Sequence, residues 1–171
     1  MNTFKHSATA LAIAFSLAAT TAAAANLIDN GNFESTELDK WASADSTKAI
    51  VNDATLSSNV LKITTRTASN ATAKYTLENL EKNKSYKVTA KIKSAEGQVG
   101  VIISYRSDEI NSAGDAKDTY ITLGGFFNSE DSWVTFDETF TLPETFDTTL
   151  PSKIYLKTDG SDNVSDMFLD D

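Results

Sequence analysis

From Ser85 to Ser94 the residues alternate without a break: Tyr86, Val88, Ala90 and Ile92 fall on one parity, Lys87, Thr89, Lys91 and Lys93 on the other. A period of two sends successive side chains to opposite faces, so this stretch predicts a half-buried strand. The same period recurs along most of the chain. Leu27 and Ile28 predict the start of a strand, and residues 49–51, 60–65 and 72–77 predict three more. Residues 98–106 set Val99, Val101, Ile103 and Tyr105 against Gly100, Ile102, Ser104 and Arg106, with apolar residues on both faces near the middle. A polar loop is expected over 107–117, then a strand over 119–123, broken by Gly124-Gly125. Val134, Phe136, Phe140 and Leu142 mark another strand face, with Glu138 the exception on that side. Residues 153–158 and 165–171 close the series.

Nine or ten short strands, with Gly, Asn and Asp at the breaks and almost no helical period, predict an all-β sandwich or barrel. No strand–helix alternation argues for α/β, and no internal repeat or linker divides residues 26–171, so one domain accounts for them.

The first 25 residues have a different character. Lys5, an apolar run from Ala10 to Ala19 and the small residues Ala22 to Ala25 fit a secretory signal cut after Ala25, and the run is too short and Ala-rich to span about 30 Å of hydrocarbon. The expected product is secreted, periplasmic or extracellular. Without the signal, 146 residues remain with 14 basic and 24 acidic side chains, a net charge near −10. A surface of that sign repels nucleic-acid phosphates and anionic membranes and disfavours strongly anionic polysaccharides, but leaves neutral sugars unaffected.

The chain has no cysteine, and its one histidine, His6, lies in the signal. A Ser-His-Asp triad, a Cys nucleophile, a His base and the usual zinc sites are therefore excluded from residues 26–171. A cation would have to be a hard one held by oxygens, which outside a cell points to calcium. Asn26 to Ser35 supplies a turn pair, Asn30-Gly31, whose second residue tolerates positive φ, then an apolar anchor, Phe33, and a carboxylate, Glu34. Met167 to Asp171 ends in two more carboxylates, Asp170 and Asp171. If the two ends lie side by side, the three acids converge and invite a cation.

Taken in order, Asn26-Leu-Ile-Asp-Asn-Gly-Asn-Phe-Glu34, Trp41, Val60-Leu-Lys-Ile63, Arg66-Thr67, Lys84-Ser-Tyr-Lys-Val-Thr-Ala90, Trp133 with Phe140-Thr-Leu-Pro143, and Phe168-Leu-Asp-Asp171 form a recognisable pattern. The chain resembles the carbohydrate-binding modules of families 4, 9 and 22 over nearly all of residues 26–171. The resemblance implies a jelly-roll β-sandwich of the galactose-binding-like type and non-catalytic binding of a polysaccharide such as xylan or β-glucan. It implies calcium held by Glu34 and one of Asp170 or Asp171, with carbonyls from the loop near Ser57 and Ser58. It also implies core positions for Trp41 and Trp133. This chain has Ser57 where the family pattern has glycine, and Ser69-Asn70-Ala71 where xylan-binding relatives place an exposed Trp. The pattern runs on past Asp171 in apolar residues, so the sequence reads as truncated, the front module of a longer enzyme with a hydrolase domain downstream.

Sugar recognition in such a module rests on flat aromatic rings that pack on pyranose C–H faces, flanked by polar groups. The candidates are Tyr105, Arg106 and Tyr120, which flank the 107–117 loop, with Tyr75 and Tyr155 on neighbouring strands. Two other roles compete: a structural or adhesive envelope sandwich without a sugar site, and a polysaccharide lyase built on Tyr, Lys and Arg. Asp137 and Glu138, adjacent on one strand, point to opposite faces and cannot form a catalytic carboxylate pair.

Overall fold

A computed structural model describes residues 26–43, 45–110, 112–128, 131–160 and 162–171, so the expected signal segment lies outside the described residues. Ten strands and no helix are found among them: β1 (Trp41–Ser43), β2 (Thr47–Asp53), β3 (Ser58–Thr64), β4 (Ala73–Leu77), β5 (Ser85–Ser94), β6 (Gln98–Ile110), β7 (Ala116–Asn128), β8 (Val134–Thr141), β9 (Ser152–Thr158) and β10 (Met167–Asp170). They form two five-stranded antiparallel sheets. Sheet A has the order β1-β4-β9-β6-β7 and sheet B the order β2-β3-β10-β5-β8. This is the β-sandwich that the period-two pattern predicts.

The core lies between the sheets. Sheet A contributes Trp41, Tyr75, Leu77, Ile154, Leu156, Val101 and Ile103, and sheet B contributes Leu61, Ile63, Ile92, Phe136 and Met167. Each set occupies alternate positions, so the faces assigned by parity are the faces that are buried.

Three local expectations fail. Leu27 and Ile28 start no strand, because residues 26–40 form a series of turns. Those turns are held by Asn30, whose side-chain amide donates to the carbonyls of Ser35 and Glu37 at 2.8 and 2.9 Å while its Oδ1 accepts from Ser35 N. Positive φ falls on Asn30 (53°) and Phe33 (52°) rather than on Gly31. The turn series docks through Phe33, fully buried against Trp41, with ring centroids 5.5 Å apart. Trp41 in turn meets Tyr75 edge-on at 5.1 Å. The polar stretch 107–117 is mostly strand: β6 runs to Ile110 and β7 starts at Ala116, with register shifts at Ser107/Ile110 and at Val99/Val101. The second shift absorbs Gly124-Gly125 as an irregularity inside β7 rather than as its end.

β10 pairs Met167 through Asp170 with Ser94 through Lys91 of β5, whereas β5 continues to Ser85 with β8 alone beside it among the described residues. Beneath this stretch opens a cavity of about 370 Å³, walled by Leu27, Ile28, Leu77, Leu80, Val88 and Leu169 among others.

Candidate functional site

Strand register sorts the candidate residues by face. Across sheet A, Lys74 lies beside Tyr155, Tyr155 beside Ile102, and Ile102 beside Thr122. One step along, Thr76 lies beside Lys153, Lys153 beside Ser104, and Ser104 beside Tyr120. Directly opposed residues share a face, and alternation with the core residues of the same strands makes this the outer face. Tyr120 projects from it with 61% of its surface exposed, the one aromatic side chain among the exposed large hydrophobics of the described residues.

Two of the other candidates point the opposite way. Tyr105 pairs with Thr119, not with Tyr120, so the two tyrosines occupy opposite faces of the sheet. Tyr105 is 6% exposed and packs on Phe146 with centroids 5.5 Å apart, which removes it from sugar contact. Tyr75 is buried at 1% and its hydroxyl accepts from Asp29 N at 2.9 Å, fastening the N-terminal turns to the core. A ring locked there has no face left for a ligand. Tyr155 does share the outer face with Tyr120, but only 7% is exposed, because the Lys74 ammonium sits 4.8 Å from its ring centroid as a roof. Burial raises the Tyr155 phenol above its ordinary 10.0, and the neighbouring Tyr120 adds to this. Arg106 pairs with Asp118 in the ladder, and its side chain lies outside the described residues.

Parity also brings out residues that were not singled out from the sequence. Lys74, Lys153 and Ser104 stand beside the two outer-face tyrosines. Lys74 alternates with Tyr75, and Lys153 shares its parity with Tyr155, so the signal was present in the strand period. The cavity near β5 is a poorer sugar site: of the aromatic rings in its walls, Phe33, Trp41, Phe140 and Tyr155 are buried, and the partly buried Tyr86 is stacked on Phe140 with centroids 5.6 Å apart.

Trp41 is in the core as expected. Trp133 is not between the sheets: it packs on the outer side of sheet B, 6.4 Å from Phe168, with the Lys93 ammonium 5.1 Å from its ring and 4.6 Å from Phe168. Lys93 also pairs with Asp53 at 3.1 Å, both side chains being largely buried. Burial raises the proton affinity of Asp53, but the bonds from Lys93 and from the backbone N–H groups of Leu56 and Thr55 outweigh it and hold the carboxyl below its ordinary 3.8.

The two chain ends meet at the turn between β2 and β3. Asn59 donates through its backbone N and its Nδ2 to the two oxygens of Glu34, at 3.1 and 3.2 Å. Ser58 Oγ donates to Asp170 Oδ2 at 3.1 Å, and Lys91 Nζ lies 3.6 Å from that oxygen. A β-carbon on Gly31 would lie 3.9 Å from Asp171 Oδ2. Ser57 takes φ 56°, the left-handed turn geometry that glycine would adopt freely. The donors are hard oxygens, which suits calcium chemistry. Among the described residues, however, no three acidic side chains come together at one point. The ends converge as turns; the three acids do not converge as a cluster.

Residues 25–161 match the carbohydrate-binding domain family that joins families 4 and 9. The chain belongs to this family. Two curated relatives carry a similar stretch. One is endo-1,4-beta-xylanase A of Thermoanaerobacterium saccharolyticum, 29% identical over 85% of this chain and 12% of its own length. The other is exoglucanase XynX of Acetivibrio thermocellus, 29% identical over 86% of this chain and 13% of its own. The carbohydrate-binding domain thus spans about one eighth of each. Among solved structures it is similar to the CBM22-2 xylan-binding domain from Paenibacillus barcinonensis Xyn10C, with a TM-score of 0.65 and 13% identity, covering 82% of this chain and 93% of that one. That likeness supports the fold of the domain, the sandwich described above.

Proposed function

We propose that this chain is a secreted, non-catalytic module that binds a neutral polysaccharide backbone of the xylan or β-glucan class on the outer face of sheet A. The observation that carries the reading is Tyr120: a flat ring, mostly exposed, on a sheet face beside Ser104 and Lys153. A pyranose packs its C–H face on such a ring while hydroxyl and ammonium groups read its oxygens. The names of the relatives, a xylanase and an exoglucanase, and of the xylan-binding structural neighbour support xylan within this class. They also support service to a polysaccharide-degrading enzyme. Absence of Cys and His from residues 26–171 supports binding without catalysis.

Calcium belongs to the same proposal. Glu34 and Asp170 or Asp171 would supply carboxylates, and the turn at Ser57 and Ser58 would supply carbonyls, pinning the two ends of the sandwich.

Calorimetry and affinity electrophoresis against xylan, laminarin, cellulose oligomers and mannan test the sugar reading. Binding to xylan that Tyr120→Ala weakens is the expected result. Failure to bind any of the four glycans overturns it in favour of an adhesive or structural sandwich.

A further inference from the structure

The chain carries 24 acidic and 15 basic side chains, and the two sheets distribute them unevenly. On the outer face of sheet B every lysine has an acidic partner: Lys62 with Asp166 at 3.3 Å, Lys87 with Asp137 at 3.0 Å, Lys91 with Asp170 at 3.6 Å, and Lys93 with Asp53 at 3.1 Å. On the outer face of sheet A, Lys74, Lys153 and Lys157 have none among the described residues. In a protein so rich in carboxylates, three unmatched ammonium groups on one face are a local reversal of sign. All three sit on the parity of Tyr155, on the adjacent strands β4 and β9.

We infer that this face selects a polysaccharide whose neutral backbone bears carboxylate substituents, with Lys74, Lys153 and Lys157 receiving the acid groups beside the Tyr120 platform. The inference rests on the glycan reading above and narrows it. Backbone stacking falls to Tyr120, and the lysines lie across the sheet toward β4, where a side branch of the bound chain would project. Lys74 cannot swing far, because its ammonium is held over Tyr155. Burial lowers Lys74 below its ordinary 10.5 and the Lys153 ammonium lowers it further, so the two cations repel each other, and an anion between them would relieve the repulsion. Asp45 offsets part of this lowering at Lys74, and Asp118 stands on the Tyr120 strand. Net negative charge elsewhere still disfavours a polymer with an acid on every residue. A sparsely substituted chain avoids that penalty.

The test compares two probes in calorimetry on the whole chain: an unsubstituted xylo-oligosaccharide, and the same backbone carrying one glucuronic acid branch. At low salt the acidic probe is expected to bind about threefold to tenfold more tightly, a difference that contracts at high salt as exposed charges are screened. Lys157→Met, further along β9 and outside the residues set beside Tyr120, is expected to lose part of that difference while leaving affinity for the unsubstituted probe unchanged. Lys153→Met, which also touches the neutral backbone, is expected to contract the ratio between the two probes further. Equal affinities for the two probes, or a difference unmoved by both substitutions and by salt, overturn the charge inference and leave the glycan site standing. Binding of neither probe overturns the glycan reading and this inference with it.

Discussion

Removing Arg66 is expected to cost more stability than any other single charged-residue change in the domain. Its guanidinium is buried and makes five contacts without a carboxylate among them: Nε donates to Ala71 O at 2.7 Å, Nη1 to Ser165 O at 2.8 Å, and Nη2 to Ser69 O, Ala68 O and Thr158 Oγ1 at 2.5, 3.3 and 3.0 Å. Nη2 has two hydrogens for three acceptors, so about four full bonds are present. One cation therefore ties the 66–71 loop to β9 and to the segment leading into β10. Burial lowers its pKa below the ordinary arginine range, but the group stays charged near neutrality. Hydrogen bonds to a charged group contribute about 1.5–3 kcal/mol each, but loop carbonyls freed near the surface recover part of this from water. Arg66→Met keeps much of the aliphatic volume and orphans the carbonyls, and should cost about 3–5 kcal/mol. For a domain of this size that lowers the thermal midpoint by roughly 10 °C. Arg66→Lys should fall between, because an ammonium cannot span loop and strand at once. Urea unfolding of both variants, followed by tryptophan fluorescence, measures the difference. A loss below about 1 kcal/mol for Arg66→Met at an unchanged slope would refute the clamp.

Three further outcomes follow from the site. Tyr120→Ala should weaken glycan binding about tenfold with a stability change within about 0.5 kcal/mol, whereas Tyr105→Ala should cost about 3–5 kcal/mol by emptying a core site; calorimetry and denaturation on both variants would show the reverse pattern if the faces were misassigned. Because the folded-state pKa of Asp53 lies below 3.8, its contribution is present above that value and is lost as pH falls through the depressed one; Asp53→Asn should flatten the acid limb of urea midpoints measured from pH 7 to pH 3, and an unchanged limb would contradict the Lys93 pairing. Calcium should raise the thermal midpoint relative to chelator in the wild type and not in Glu34→Gln, and a midpoint indifferent to calcium removes the metal from the account.

Strand period alone was enough to place β5 and β8, because each has one wetter and one drier face, and β9, whose lysines Lys153 and Lys157 alternate with Ile154 and Leu156. Tyr105, grouped with Tyr120 as a ligand candidate because both flank the 107–117 stretch, shares its parity with Val99, Val101 and Ile103, which are core residues. What parity does not reveal is which neighbouring strand supplies the partner. The ladder offset that sets Tyr120 beside Ser104 comes from the β6–β7 register and its two shifts, a long-range property. The 107–117 stretch looked like loop because its residues are polar, yet hairpin pairing satisfies their backbone groups without any apolar face. Arg66 stood out as part of a motif, but its role depends on Thr158 and Ser165, more than ninety residues away. The family resemblance implies a core position for Trp133, while the cation Lys93 and the ring of Phe168 hold it outside sheet B. The meeting of the chain ends was legible; the pairing of each acid with its own turn donor was not.

Two tryptophans in unlike surroundings give this domain two optical reporters. Trp41 sits between the sheets, whereas Trp133 lies outside sheet B beside the Lys93 ammonium. Acid strong enough to protonate Asp53 and loosen Lys93 would disturb the second emission ahead of the first, so that loosening of one face is told apart from collapse of the interior.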